Sequence, residues 1–92
     1  MIRFAVLLLV MTAGVVAATA ESFRVSDIDP GDTLSIREFP DGEAATIGRI
    51  PWNERRIRGF GCTNETPSGR TWCRVKHGPV VGWARRRYLQ PE

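Results

Sequence analysis

The chain has 92 residues, a formal net charge of +3, two cysteines and one histidine. That length allows one small domain, and two cysteines with one histidine exclude a four-ligand zinc centre built from those residues alone. The charge is modest for a surface, and no internal repeat or low-complexity tract is present.

Residues 1–20 have the order of a secretory signal peptide. Arg3 supplies the positive start, Phe4 to Met11 the apolar run, and Ala18-Thr19-Ala20 the small-residue exit. The run softens at Thr12 and Gly14, short of the ~20 apolar residues that a membrane span needs. Cleavage after Ala20, with a signal-peptide helix before it, leaves residues 21–92 in the periplasm or secreted, with no stable membrane insertion. No cysteine follows the exit, so a lipid anchor there is not supported.

A domain of this size buries only about 60% of its unfolded surface and sits near the margin of stability. Cys62 and Cys73 allow one pairing, which an oxidising compartment permits. The short loop they would close is worth roughly 3 kcal/mol on the chain-entropy account.

The mature sequence reads as short strands separated by turns. Phe23-Arg24-Val25-Ser26 alternates apolar and polar, as a half-buried strand does. Asp29-Pro30-Gly31-Asp32 is a turn, because Pro presets one φ and Gly permits φ > 0. Leu34-Ser35-Ile36-Arg37 alternates again, and Pro40-Asp41-Gly42 turns within a loop from Glu38 to Ala45. Thr46 to Ile50 is a strand stopped by Pro51. Trp52 to Arg55 is a tight connection. Arg56 to Cys62 is a strand weakened by two glycines, of the kind that mark bulges.

Thr63 to Gly69 is polar and irregular, the tip between two strands that the Cys62–Cys73 bridge would tie. Thr71 to Lys76 and Val80 to Ala84 then face each other across His77-Gly78-Pro79 as a β-hairpin. Arg85 to Leu89 forms a short helical turn and a last strand. Strands at this spacing argue an all-β fold, and at 72 residues a small barrel fits better than a sandwich.

Charge is divided along the chain. Twelve of the 13 basic residues are arginine, and they concentrate late, at Arg55, Arg56, Arg58, Arg70, Arg74 and Arg85 to Arg87, with Lys76. The carboxylates sit mostly early, which predicts one basic and one acidic region. Outside the cytoplasm a basic region meets anionic wall polymers, lipid headgroups or acidic proteins before nucleic acid. Convergence of Arg56, Arg58, Arg74 and one of the arginine triplet would make a bidentate site for carboxylate or phosphate. Solvated arginines scattered over the surface are the alternative.

Among the aromatics, Trp72, Trp83, Phe60 and Tyr88 could stack into a recognition groove, or most of them fill a small core; Trp83 is assigned to the core. Trp72 has two readings: alternation against a buried Val75 turns it outward, whereas a small core needs large aromatic side chains. Trp52, between Pro51 and Asn53, is either an exposed binding residue or a lid over one end of the fold. Catalysis finds little support. His77 lies at a Gly-Pro turn, both cysteines are expected to be oxidised, and Asp27, Asp29 and Asp32 ring a turn whose N–H groups they can cap.

Several of these segments together resemble a bacterial Src-homology-3 domain: Leu34-Ser35-Ile36-Arg37, the Pro-Asp-Gly loop, Ile47-Gly48-x-Ile50-Pro51, Trp72-Cys73-Arg74-Val75, Gly82-Trp83 and Arg87-Tyr88-Leu89. The likeness runs from about Phe23 to Gln90. It departs at Pro51-Trp52-Asn53-Glu54, where the family usually has a small Pro-x-Gly turn, and in the added cysteine pair. It implies a compact barrel of five to six short strands, found outside the cytoplasm, that binds peptidoglycan or peptides. The bacterial likeness also argues against use of Asn64-Glu65-Thr66 as a glycosylation acceptor.

The sequence is therefore read as a non-catalytic binding module without cofactor or metal. Its ligand is expected to be a cell-wall polymer, or a peptide or protein segment, held through Trp52, Trp72, Arg56, Arg58 and Arg74. The alternative is an interaction subunit that docks on an envelope protein or enzyme without binding glycan. Nucleic acid is not expected as a partner, because export removes the chain from it.

Overall fold

The structure, a computed structural model, describes residues 21–92. The expected signal peptide and its helix lie outside the described residues. The elements are β1 (Glu21–Val25), β2 (Thr33–Arg37), β3 (Thr46–Pro51), β4 (Ile57–Thr63), β5 (Trp72–His77), β6 (Val80–Arg85), a 3-10 turn at Arg86–Tyr88, and β7 (Leu89–Pro91). The all-β class is as expected, with seven strands in place of five to six.

All seven join one antiparallel sheet in the order β3-β2-β6-β5-β4-β1-β7. The ladder is open: β3 and β7 are its outer strands and do not pair with each other. The sheet is nevertheless strongly curled. Ile36, Ile50, Cys73 and Val75 have no exposed surface, and Phe23, Val25, Leu34, Ile57 and Leu89 have almost none, although among the described residues no second layer packs on the sheet. A flat single sheet would leave that face wet. Here every strand contributes to one cluster, so the sheet must wrap around its own apolar face.

The alternation that predicted the strands decides which side chains reach the cluster. In β1 Phe23 and Val25 are buried, in β2 Leu34 and Ile36, in β5 Cys73 and Val75. In β6 the inward positions are Gly82 and Ala84, and this is why Trp83 is not in the core. Trp83 occupies the outward register, half-buried, opposite Arg74 on one side and Arg37 on the other. Aromatic bulk alone had assigned it inward; the pleat puts it out.

Two connections depend on glycine. The β4–β5 register shifts between Gly59 and Cys62, and Gly61 sits at φ 116°, a value that side-chain-bearing residues avoid. The β5–β6 hairpin turns on Gly78 and Pro79 alone, between the paired His77 and Val80. Gly78 takes φ 59°. Pro79 is locked near −65° and cannot follow it into positive φ, which matches a turn with glycine in the first central position. Among the described residues no helix is long and apolar enough to cross a membrane.

Candidate functional site

Cys62 and Cys73 form a disulfide, and they are directly opposed in the β4–β5 ladder. Its Cys73 half is fully buried and its Cys62 half is exposed. Such a bond is compatible with an oxidising, extracytoplasmic compartment. It also fixes the first residues of β5, and so the position of Trp72.

Trp72 does not face solvent: it is 2% exposed. The outward reading fails for a non-local reason. Trp72 does hold the outward register, on the same face as Arg74 and Lys76, but other parts of the chain cover it there. It lies opposite Arg85 of β6 and Thr63 of β4. The Arg85 guanidinium is 5.8 Å from the centre of its ring and 5.9 Å from that of Tyr88, so one cation spans both aromatics. The β1–β2 loop closes the remaining side. The result is a cleft of about 320 Å³ whose walls include Ile28, Leu34, Arg37, Trp72, Arg85 and Tyr88.

The indole of Trp72 carries the one buried side-chain polar atom, among the described residues, that lacks a hydrogen-bond partner: Nε1. A buried donor left unpaired costs about 1–3 kcal/mol. Folded structures rarely leave such a group without an explanation, and here its residue lines a cleft bearing two arginines.

A second concavity, of about 570 Å³, is lined by Arg24, Asp27, Ile28, Trp52 and Arg55 among others. Trp52 is 38% exposed, and its backbone N–H donates to the Asp32 carbonyl at 3.1 Å. Trp52 and Trp72 therefore stand in separate concavities, with Ile28 contributing to both.

The arginines named from sequence divide. Arg58 and Arg74 share the outward face of the β4–β5 hairpin with Lys76, and Arg58 lies directly opposite Lys76. Like charges so placed repel, by some tenths of a kcal/mol up to about 1. No carboxylate occurs in β4, β5 or β6 to relieve them. Arg58 covers the exposed Phe60 ring at 5.7 Å.

Arg56 stands apart. Its φ is 60°, and its backbone N–H donates to Glu92 Oε1 at 2.8 Å. That bond, joined by the Arg55 side chain at 2.8 Å, holds the Glu92 carboxyl below its usual range. His77 approaches Glu54, with Nε2 3.7 Å from Oε2. Apart from that contact, Arg55–Glu92 is the one ion pair among the described residues.

Sequence reasoning placed Tyr88 with Trp72 but missed Arg37 and did not single out Arg85 as companions of Trp72. The arginine triplet was visible, but three consecutive residues do not by themselves announce which one leans over a ring on the neighbouring strand. Comparison with protein-family models, with curated proteins and with solved structures returns no match for this chain.

Proposed function

We propose that the protein is an exported, non-catalytic binding module of the bacterial Src-homology-3 kind, its curled sheet serving as that family's barrel. It holds a cell-wall peptide, or another peptide segment, in the cleft over Trp72. The observation that carries this reading is the buried indole N–H without a partner, beneath a guanidinium and beside a tyrosine. A peptide carbonyl or carboxylate supplies the missing acceptor, and Arg85 shifts from the ring onto the same ligand. The disulfide and the reading of residues 1–20 support an envelope or secreted location. A face of this size fits affinities of about micromolar to millimolar.

A protein-only reading has one observation in its favour. Phe39, in the loop that leads to the outer strand β3, is 60% exposed, and Ile47, in β3 itself, is 43% exposed. An unpaired strand edge with apolar neighbours is what a docking protein uses when it adds a strand.

The deciding experiment sediments the protein beginning at Glu21 with purified peptidoglycan at low salt. Trp72→Phe keeps the ring and deletes the N–H; binding falls about tenfold, the equivalent of one net hydrogen bond. The Trp72 indole N–H resonance, identified by its loss in that variant, moves on titration with wall-derived peptide. Absence of sedimentation, or unchanged binding by Trp72→Phe, refutes the reading. Co-purification of one stoichiometric envelope protein without wall binding establishes the alternative.

A further inference from the structure

We propose a second ligand site, beside the Trp72 cleft and sharing only Arg85 with it: the concavity lined by Gly69, Arg70, Thr71, Arg85, Arg86 and Arg87 binds a phosphate group. Its volume is about 370 Å³, four of its six lining residues are arginine, and none is a carboxylate. None of the four is in an ion pair. Four cations around one hollow repel one another unless an anion joins them.

The arginines come from two segments that the fold fastens together. The Arg86 backbone N–H donates to the Thr71 carbonyl at 3.0 Å, and Trp72 pairs with Arg85 in the adjoining ladder. The Arg70 segment is held from its own loop: Thr66 Oγ1 donates to the Arg70 carbonyl at 2.8 Å, and the Gly69 N–H to the Thr66 carbonyl at 3.0 Å.

The four arginines divide their work. Arg86 is spent internally, with Nη1 donating to the Leu89 carbonyl at 2.6 Å and its guanidinium over Phe23 at 5.7 Å. It anchors the turn. Arg87 stacks on Tyr88 at 4.9 Å, and Arg85 lies over Trp72 and Tyr88. A stacked guanidinium is fixed by its face and keeps its N–H edge for a ligand. Arg70 makes no stacking or ionic contact. Arg70, Arg85 and Arg87 thus leave three forked donors at one hollow.

Phosphate fits this set better than carboxylate. Its charge of about −1.5 to −2 and three acceptor oxygens can engage three guanidinium forks, whereas one carboxylate saturates on one. The phosphate can be free, or displayed by a lipid headgroup.

The test uses Arg70→Ala/Arg87→Ala. Both side chains are exposed, so the variant leaves the core intact, and it spares Arg85, which also belongs to the Trp72 cleft. Inorganic phosphate is titrated at constant ionic strength, with chloride as control, while backbone amide resonances are followed. Saturable shifts at Gly69–Thr71 and Arg85–Arg87 are expected, with affinity at least tenfold weaker in the double variant. Arg49→Ala/Lys76→Ala, two exposed cations on β3 and β5, serves as the charge-matched control and retains wild-type affinity.

Shifts that do not saturate, that chloride reproduces, or that both double variants lose equally overturn the proposal. A second arm sediments the protein with phosphatidic acid vesicles and with phosphatidylcholine vesicles. Selective retention on phosphatidic acid that the Arg70/Arg87 variant loses supports the site and identifies a lipid source. Saturable phosphate binding without vesicle retention supports it with a soluble source. Vesicle retention without saturable phosphate binding overturns it in favour of general charge attraction. Loss of the Trp72 reading leaves each of these outcomes unchanged.

Discussion

Two hairpins of this sheet close loops of equal length by different means. Between β2 and β3 the loop runs from Glu38 to Ala45, and between β4 and β5 from Asn64 to Thr71, eight residues each. The first is laced by an arginine. Arg37 Nη1 donates to the Ala44 carbonyl at 2.9 Å and to Thr46 Oγ1 at 3.1 Å, while the Glu38 N–H reaches the Ala45 carbonyl at 2.9 Å. In the second, Thr63 Oγ1 at the end of β4 accepts the Glu65 N–H at 3.0 Å, no arginine laces the loop, and its base carries the disulfide. The ladders beneath them differ too. The β2–β3 register slips by one residue beside Arg37, whereas β4–β5 pairing lapses between Gly59 and Cys62. Both ladders pair up to the loop, at Arg37–Thr46 and Thr63–Trp72, so the two hairpins differ in the kind of tie set beside the irregularity: hydrogen bonds from Arg37 in one, a covalent bond in the other.

The largest effect expected is loss of the covalent tie. Cys62→Ala/Cys73→Ala, or reduction of the native bond, should cost about 3 kcal/mol. For a domain of this length that is a fall in Tm of roughly 12–24 °C, a large share of the total stability of a small fold. Thermal unfolding followed by circular dichroism reads it directly. A fall no greater than that caused by losing Arg37's hydrogen bonds would remove the contrast between the hairpins.

The second effect lies at the seam between them, where β6 joins the stapled hairpin to β2. Gly82 leaves no room for a side chain: an added Cβ would lie 2.6 Å from Ile36 Cγ2 and 2.7 Å from the Arg37 carbonyl oxygen. The second of these is backbone and cannot rotate away. Gly82→Ala is therefore expected to cost about 1–3 kcal/mol as overpacking. Because it pushes on the residue that laces the first loop, hydrogen exchange should quicken in β2–β3 more than in β4–β5. Equal quickening in both would mean that the seam does not separate two units.

Third comes the arginine tie itself. Arg37→Met keeps most of the aliphatic stem and deletes two hydrogen bonds of a partly exposed side chain. About 1 kcal/mol is expected, a fall in Tm of roughly 4–8 °C.

How far the sequence could be read follows from the same contrast between local and distant causes. Every strand was legible, because alternation such as Leu34-Ser35-Ile36-Arg37 is written within five residues. The cysteine pairing was legible because only one pairing exists. The two tryptophans of the closing hairpin were harder. Trp83 has the outward register and stays half-buried; Trp72 has the outward register too and is buried. What separates them is the cover of Arg85, Tyr88 and the β1–β2 loop over Trp72, and no local pattern encodes a cover supplied from residues far along the chain. The arginines behaved likewise. The late concentration of charge was plain, but Arg70 belongs with Arg85 and Arg87 only because Thr71 and Arg86 are bonded, while Arg56 is drawn aside by Glu92. The count of five to six strands comes from the resemblance; read residue by residue, the sequence has a last strand after the helical turn, and that strand is β7, three residues long and paired only with β1.

The smallest effect concerns a third kind of tie, outside both hairpins. Glu92 accepts the Arg56 N–H and the Arg55 guanidinium, joining the last residue to the approach of β4. These contacts, the backbone N–H first, lower the carboxyl below its ordinary value of 4.5. A carboxyl lowered by folding favours the folded state when ionised. Its contribution is complete above the ordinary value and is lost as pH falls through the lowered, folded one. Glu92→Gln should therefore lower Tm slightly at neutral pH, by less than Arg37→Met does, because exposed ionic contacts are weak. The gap between wild type and variant should hold down to about pH 4.5 and close in more acidic solution. Added salt at neutral pH should narrow it as well, which the disulfide and Arg37 effects should resist. A gap that salt at neutral pH leaves unchanged and that shows no dependence on acidity would mean that the Glu92 charge contributes nothing, and the sheet would then be held by one covalent and two hydrogen-bonded ties with no ionic one.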